Sequence, residues 1–176
     1  IVVRRVGLNP TRTGMLKLLE EGGAEIHREN AVDLHSEPVA DLQISGPGSL
    51  SENFPDRISG DLIPNLIDEL PLLAVLATSL PRGLEVREAG ELRKKESDRI
   101  HSVVHNLRAV GVDAVEYEDG FYVPFCDSVR GGSVETFGDH RIAMAFAILG
   151  LISRGGIELD DPDCAAVSFP AFFEAL

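Results

Sequence analysis

The sequence predicts an α/β domain assembled from repeats of the order strand-helix-strand-helix-strand-strand (βαβαββ). Short strand-like runs alternate with helical patterns along all 176 residues. LKLLEEGGAEI at 16–26 is similar to HNLRAVGVDAV at 105–115, each a helix end followed by glycine, a carboxylate and a strand. IDELPLLAVLATSLPRGLEV is similar to GDHRIAMAFAILGLISRGGIEL, and in both an Asp opens an apolar helix that ends at Arg-Gly. Two copies of a repeat of about 70 to 90 residues fit this order, with a core shared through their apolar helices.

The first third of the chain predicts a strand, a helix and two further strands. IVVRRV is a β-type run, and the leucines that follow recur at helical spacing until Gly22-Gly23 ends the helix. AEIH at 24–27 and ADLQISG at 40–46 have the composition of short strands. Residues 47–61 are rich in Pro, Gly, Ser and Asp, which predicts a loop.

The rest of the chain continues the alternation. IDELPLLAVLATSL, from Ile67, predicts a buried helix with Pro71 in its first turn, and GLEVREAG predicts a strand and a turn. SDRIHSVVHNLRAVG has its apolar residues on one helical face, and VDAVEYEDGFYVPF predicts a hairpin about Asp119-Gly120. After a Gly-rich loop come a thoroughly apolar helix, a strand and the start of a last helix, in DHRIAMAFAILGLISRGG, GIELDD and SFPAFFEAL.

Composition and charge exclude several classes of function. Sixteen Lys and Arg against 29 Asp and Glu give a net charge of -13, which argues against binding to a nucleic acid backbone. No run approaches the ~20 apolar residues of a membrane span, and the start lacks the pattern of a signal peptide. Cys126 and Cys164 lack a C-x-x-C spacing and are expected to be reduced thiols. We therefore expect a cytoplasmic protein that binds neither nucleic acid nor membranes.

One cluster of cations stands out from this acidic background. Arg93, Lys94, Lys95 and Arg99 fall within seven residues, which suits a small anion. In both copies of the repeat, polar residues stand where an apolar helix begins. Helix N-termini carry unsatisfied N–H groups and a positive dipole end, so two or three that point to one place form an anion site.

The segment ELRKKESDRI combines cations with a carboxylate. Ser97 or Asp98 is expected to cap the helix, and Lys95 and Arg99 share a face if the helix already includes Lys95. A carboxylate such as Glu96, between two cations, is kept ionised, whereas an adjacent anionic ligand favours its protonated form. That balance suits proton exchange. The alternative is a solvated helix start with no function.

Two further helix starts carry candidate residues. In GDHRIAMA, burial of the apolar helix requires His140 and Arg141 either to pair internally or to face a cleft. An arginine there matches phosphate and carboxylate alike. In IDELP, an N-cap role would explain Asp68 without any function, but the repeat makes Asp68 the counterpart of Asp139.

The sequence supports no metal or nucleotide site. His101 and His105 are four residues apart, but H-S-V-V-H lacks the Glu of the zinc hydrolase motif, so an ordinary helix face is preferred. Neither G-x-G-x-x-G nor G-x-x-x-x-G-K-[ST] occurs.

Five motifs together resemble, in order and spacing, the C-terminal half of the EPSP synthase (3-phosphoshikimate 1-carboxyvinyltransferase) family: LNPTRTG, IDELPLLA, ELRKKESDRI, GDHRIAMA and AVSFPAFFEAL. The resemblance implies a two-domain enzyme in which each domain is an inside-out α/β barrel of three βαβαββ units. Substrates bind between the domains. Residues 1–176 would then form most of one domain, and the other, N-terminal domain is absent from this chain.

The resemblance also implies the reaction of a transferase. The enolpyruvyl group of phosphoenolpyruvate passes to the 5-hydroxyl of shikimate 3-phosphate through a tetrahedral intermediate, and phosphate leaves. This is a step of the shikimate pathway to aromatic amino acids. No metal or organic cofactor is expected, and glyphosate is the expected inhibitor.

The motifs carry the family's site residues onto this sequence. Asp68 would take the hydroxyl proton and contact shikimate 3-phosphate, which Lys95 would also hold. Glu96 would exchange a proton with the methylene carbon, and His140 would line the same pocket. The residues that would clamp phosphoenolpyruvate are Arg99 and Arg141.

Two positions depart from the family pattern. Lys94 replaces a residue that is usually apolar, and Val167 stands where some members carry a lysine that contacts phosphoenolpyruvate. The cationic clamp is then either incomplete or extended by Lys94.

Two alternative functions remain open from the sequence. The sister enolpyruvyltransferase that acts on UDP-N-acetylglucosamine shares the fold and chemistry, although the KESDR and DHR motifs favour the shikimate enzyme. A catalytically inactive isolated domain is the other alternative, because half a cleft loses effective concentration and water exclusion.

Overall fold

A computed structural model of the chain describes residues 1–46 and 53–176, and these form two compact units. The first unit comprises the described residues up to Pro55 together with Asp61–Leu66, and the second comprises Asp56–Gly60 and Ile67–Leu176. No helix within these described residues is long and apolar enough to cross a membrane.

Strands and helices alternate as the sequence predicts. The strands are β1 Val2–Gly7, β2 Glu25–Leu34, β3 Glu37–Ser45, β4 Arg57–Ile58, β5 Leu84–Val86, β6 Val115–Tyr117, β7 Gly120–Val123, β8 Gly132–Val134 and β9 Ile157–Leu159. The α-helices are α1 Gly14–Glu21, α2 Ile63–Leu66, α3 Leu70–Ala77, α4 Arg99–Ala109, α5 His140–Ile152 and α6 Phe172–Ala175. Short 3-10 turns cover Gly60–Leu62, Gly90–Lys94 and Pro162–Val167.

The first unit holds an antiparallel sheet of order β1-β3-β2. The two predicted short strands are longer than expected and form one hairpin, in which Leu34 pairs with Glu37 across a two-residue turn. His35 and Ser36 both have positive φ, 53° and 67°. This is the backbone of a type I′ turn, which usually carries Asn-Gly. Because His-Ser is not a turn signal, the sequence did not reveal the hairpin.

The second unit contains one complete βαβαββ repeat, from β4 through α3, β5 and α4 to β6 and β7. Its sheet has the order β4-β5-β7-β6, with β4 parallel to β5 and the other pairs antiparallel. The segment β8-α5-β9 repeats the first part of this unit, since β8 and β9 also pair in parallel. In the first unit, β1-α1-β2-β3 repeats the order of β5-α4-β6-β7. Both predicted sequence similarities therefore join equivalent elements.

The core of the second unit consists of helices. α3 and α5 pack against each other and both contact α4. The buried side chains of α3 and α5 are all apolar, which is the pattern of helices that form a core. Strands β6 and β7 pack against α4, and β9 packs against α5.

Several predicted boundaries were wrong. The predicted loop 47–61 contains β4, which is too short to show any periodicity, and its part 47–52 lies outside the described residues. The Gly-rich loop contains β8 for the same reason. The helix predicted from Ile67 begins only at Leu70, with Pro71 in its first turn as expected. The second hairpin turns at Glu118 and Asp119, one residue earlier than predicted.

Candidate functional site

The N-termini of α3, α4 and α5 meet in the second unit. Each helix follows a strand, β4, β5 or β8, and starts beyond that strand's carboxyl end. Parallel β4 and β5 place the starts of α3 and α4 at one edge of their sheet, where ligands bind in many α/β proteins. Ion pairs of Arg99 with Asp139 and of Arg141 with Asp68 join the start of α5 to them. The geometry therefore gathers the three motifs that the sequence singled out.

Arg99 is the centre of this cluster. Its side chain is 1% exposed, and it donates to Asp139 from Nε at 2.8 Å and from Nη2 at 3.3 Å. Nη2 also donates to Glu96 Oε2 at 2.6 Å, and Nη1 donates to Asp68 Oδ1 at 3.3 Å. A guanidinium tolerates such burial because three carboxylates balance its charge and accept its N–H groups.

Asp139 joins α4 to α5. It is fully buried and caps α5, since Oδ1 accepts from the main-chain N–H of Arg141 at 2.9 Å. Oδ2 accepts from Ser97 Oγ at 3.0 Å. Burial acts to raise the pKa of Asp139, but the hydrogen bonds from Arg99, Arg141 and Ser97 outweigh it and hold that pKa below its usual range. Sequence reasoning did not place Asp139 or Ser97 in the site, although the Asp-opened repeat pointed to Asp139.

Asp68 faces three cations. Its carboxylate lies 3.8 Å from Lys95 Nζ, 3.3 Å from Arg99 Nη1 and 3.4 Å from Arg141 Nη2. Arg141 Nη1 also donates to the main-chain oxygen of Asp68 at 3.0 Å. Asp68 is not the N-cap of α3, because that position belongs to Glu69, whose side chain makes no capping bond. The contacts of Asp68 thus favour the site interpretation over the capping interpretation.

The KESDR segment does not form one continuous face of α4, because the helix begins only at Arg99. Asp98 caps α4 by accepting from the His101 N–H at 3.0 Å, so Asp98 and not Ser97 is the cap. Lys95 precedes the helix in an extended conformation, so the condition for a helical face shared with Arg99 is not met. Lys95 and Arg99 come together instead by contacting the same carboxylate, Asp68. The side chain of Glu96 is 51% exposed.

The remaining candidates lie at the edge of the cluster. His140 is the first residue of α5 and is half-buried, and its ring makes no hydrogen bond or ion pair with the described residues. Lys94 is 74% exposed and pairs with Glu91 at 3.1 Å, outside the cluster. Val167, at the end of the last 3-10 turn, is 79% exposed.

The cluster carries more carboxylates than cations before any ligand is present. Its cations are Lys95, Arg99 and Arg141, and its carboxylates are Asp68, Glu69, Glu96 and Asp139. The surplus of carboxylates means that this chain alone does not supply a net positive site for a polyanion.

A cleft of about 220 Å³ opens beside the cluster. Asp68, Glu69 and Arg141 form its polar end, and the rest of its wall is apolar. The apolar lining consists of Pro71, Leu72, Met144, Ala145, Ile148, Phe169 and Phe172.

His101 and His105 lie on the exposed face of α4, as predicted. Their rings are 5.7 Å apart, and both contact Phe137 edge-on. His101 Nδ1 lies 3.3 Å from Glu116, and His105 Nε2 lies 3.6 Å from Glu135. Across residues 1–46 and 53–176, no group of three or more His, Cys, Asp or Glu side chains has a geometry that could hold a metal ion.

Comparison with known proteins gives one consistent result. The family model described as EPSP synthase (3-phosphoshikimate 1-carboxyvinyltransferase) matches residues 1–176. The 3-phosphoshikimate 1-carboxyvinyltransferase of Aquifex aeolicus is 47% identical over 174 residues, which are 99% of this chain and 40% of the relative. That of Thermotoga neapolitana is 44% identical over 176 residues, 100% of this chain and 41% of the relative.

The fold comparison agrees. EPSP synthase from Acinetobacter baumannii superposes with a TM-score of 0.88 at 36% identity, covering 98% of this chain and 40% of that one. The predicted fold class is thereby confirmed. The chain spans about 40% of the length of the curated relatives that it matches.

Proposed function

Because this chain belongs to the EPSP synthase family, we propose that it supplies half of an interdomain site for enolpyruvyl transfer from phosphoenolpyruvate to shikimate 3-phosphate. The observation that carries the proposal is the cluster of Asp68, Lys95, Glu96, Arg99 and Arg141 at three helix starts. Two anionic substrates need cations that bind them and carboxylates that change protonation, and this cluster contains both.

The other part of the site has to come from outside this chain. Four carboxylates face three cations in the cluster, so a polyanion is not attracted by this half alone. The chain also spans only about 40% of its relatives. We therefore propose that residues 1–176 alone are catalytically inactive and that an N-terminal domain outside these residues supplies further cations and excludes water.

Asp68 and Glu96 divide the proton transfers. Asp68 takes the proton of the 5-hydroxyl as its oxygen bonds to C2 of phosphoenolpyruvate, and Glu96 gives a proton to the methylene carbon. The C–O bond to phosphate then breaks and phosphate leaves with the electron pair, taking up the proton that Asp68 holds. Glu96 recovers its proton from the methyl group, so both carboxylates return to their starting state. The 51% exposure of Glu96 and the three cations around Asp68 suit these roles.

Cation positions suggest which group binds which substrate. The side chains of Lys95 and Arg141 are about one-third exposed, so their charged ends are accessible to ligands. Lys95 binds shikimate 3-phosphate, and Arg141 binds phosphoenolpyruvate. Arg99 is 1% exposed and engaged by its carboxylates, so it reaches phosphoenolpyruvate only after Glu96 or Asp68 turns away. His140 contributes to the lining of the same pocket.

The names of the relatives favour shikimate 3-phosphate over UDP-N-acetylglucosamine as acceptor. From membership of the family we also propose that glyphosate inhibits the reaction, that the reaction needs no metal or organic cofactor, and that the protein is cytoplasmic. Nucleic acid and membrane partners remain unsupported.

A chimera tests the proposal directly. Residues 1–176 replace the corresponding 40% of the Aquifex aeolicus relative, and phosphate release is followed with both substrates present. We expect turnover by the chimera and none by residues 1–176 alone. Asp68→Asn and Glu96→Gln in the chimera should each lower kcat at least about 100-fold, the range of general acid-base catalysis.

The matched control is Glu91→Gln. Within the described residues, the Glu91 carboxylate forms one ion pair, with the exposed Lys94, and that pair lies outside the cluster. Its activity should be unchanged. A folded chimera without turnover, or one in which Asp68→Asn and Glu91→Gln behave alike, would contradict the proposal. Turnover with UDP-N-acetylglucosamine and not with shikimate 3-phosphate would reassign the acceptor.

A further inference from the structure

We propose that Asn106 of α4 and Asp160, directly after β9, together position the start of α5 and thereby hold Asp139 and Arg141 in the site. Neither residue touches the cluster itself. Their importance for the reaction rests on the proposed function, whereas their effect on Asp139 is a property of this chain.

Asn106 is a fully buried polar residue on the inner face of α4, next to apolar Val103 and Leu107. Its Nδ2 donates to the main-chain oxygen of Glu135 at 2.7 Å, and its Oδ1 accepts from the Glu135 N–H at 2.9 Å. The amide thus pairs with both main-chain groups of one residue. Burying an amide is costly unless both of its ends are satisfied, and here both are satisfied by the same backbone position.

Asp160 holds the next residue from the other side. Its Oδ1 accepts from the N–H of Thr136 at 2.7 Å. Thr136 is itself fully buried, and its main-chain oxygen accepts from the N–H of Asp139 at 3.0 Å. The backbone is therefore fixed at Glu135 and Thr136, four and three residues before the N-cap of α5.

The turn between these anchors is strained. Phe137 has φ of 55°, a region that bulky L-residues rarely adopt. Such a conformation persists only when its surroundings hold it in place. Loss of an anchor allows Phe137 to relax, and the relaxation displaces Asp139, two residues later.

The carboxylate of Asp139 reports on this displacement. Its pKa lies below the usual range because Arg99, Ser97 and the Arg141 N–H donate to it despite its burial. If the turn relaxes, these hydrogen bonds lengthen while the carboxylate stays buried. The weaker hydrogen bonds then oppose the effect of burial less, and the pKa of Asp139 rises.

The experiment is a 13C NMR titration of the Asp139 carboxyl carbon in residues 1–176. Asn106→Ala should raise the pKa of Asp139 by about one unit, a tenfold change in proton affinity. Val103→Ala is the matched control, since it opens a cavity on the same buried helix without touching Glu135. It should leave the pKa of Asp139 unchanged.

A second pair of variants covers the case in which Asn106→Ala does not fold. Asp160→Asn keeps an oxygen acceptor for Thr136, whereas Asp160→Ala removes it, and both lose the same charge. The pKa of Asp139 should be at least about half a unit higher in Asp160→Ala than in Asp160→Asn. Loss of a nearby negative charge by itself lowers the pKa of Asp139, so electrostatics alone cannot mimic the result.

Equal pKa values within either pair would overturn the positioning role. In the chimera, Asn106→Ala should raise KM for phosphoenolpyruvate about tenfold relative to Val103→Ala. If the NMR shifts appear but the chimera has no activity, the proposed function fails and the positioning inference stands.

Discussion

At the scale of single residues, the buried guanidinium of Arg99 is the main electrostatic feature. Three carboxylates balance it, and one of them, Asp139, is itself fully buried. Removing one partner of a buried pair leaves an uncompensated charge, which typically costs about 3 to 5 kcal/mol. Arg99 and its carboxylates therefore affect both the stability of the chain and its proposed function.

Asp139→Asn should lower the free energy of unfolding by about 3 kcal/mol, because a neutral amide cannot balance Arg99. Urea unfolding followed by circular dichroism measures this. Asp113→Asn, at an exposed position, should change stability by less than about 0.5 kcal/mol. An equal loss of stability in Asp139→Asn and Asp113→Asn would mean that the buried Arg99–Asp139 pair adds no net stability.

Acid should weaken the fold through the same carboxylate. The pKa of Asp139 is lower in the folded chain than its unfolded value of about 3.9, so its contribution is fully present at higher pH. That contribution is lost as pH falls through the folded pKa. Thermal unfolding between pH 6 and 2 should show a steeper decline below about pH 4 in the parent chain than in Asp139→Asn. Parallel curves would contradict this assignment.

At the scale of elements, the sequence predicted most helices and strands but not their ends. The start of α3 was placed too early because Glu69 caps the helix without a side-chain hydrogen bond, so no capping residue marks the boundary. A helix that began at Ile67 would include Asp68, whereas Asp68 in fact precedes α3 and contacts three cations. The positions of α4 and α5 were close, because Asp98 and Asp139 are true caps with recognisable side chains.

The hairpin between β2 and β3 should be easy to stabilise. His35 and Ser36 both have positive φ, which Asn and Gly adopt with less strain. Replacing the pair by Asn-Gly should raise the free energy of unfolding of the first unit by about 0.5 to 1 kcal/mol. Amide hydrogen exchange of β2 and β3 measures it, with Ser45→Gly in the extended strand as a control that should destabilise. No gain from Asn-Gly would contradict the turn geometry.

Gly120 is required for a different reason. Its φ is not positive, but a Cβ there would overlap the main-chain carbonyl group of Val86 on β5. Gly120→Ala should therefore separate β7 from β5 and cost about 1 to 3 kcal/mol, the range for overpacking. Gly90→Ala is the matched control, because a Cβ at that position meets nothing within 4 Å. Equal unfolding midpoints for the two variants would contradict this reading.

At the scale of the whole molecule, the motifs identified the family and the site cluster, whereas the network that holds the cluster became visible only in three dimensions. KESDR and DHR place chemistry-bearing residues at helix starts, which sequence patterns reveal. Asn106 and Asp160 act through main-chain atoms of distant residues, and no periodicity or capping rule predicts such pairings.

Exposed apolar side chains near the C-terminal end of the second unit predict self-association. Val167, Phe169 and Phe173 are 79%, 44% and 47% exposed. Apolar patches of this kind favour contact between molecules. Residues 1–176 should form larger species as concentration rises, measured by light scattering, and Val167→Lys with Phe173→Asp should reduce them. Val115→Lys, on β6, should have no effect, and equal behaviour of all three proteins would contradict the assignment.

The charge balance of the cluster also governs how fast an anion reaches it. The chain carries -13 overall, and its site presents four carboxylates against three cations, so an approaching phosphate is repelled at long range. Salt screens that repulsion over about 10 Å at 0.1 M. Encounter between phosphate and this chain should therefore accelerate as ionic strength rises, the reverse of the behaviour of an electrostatically steered enzyme.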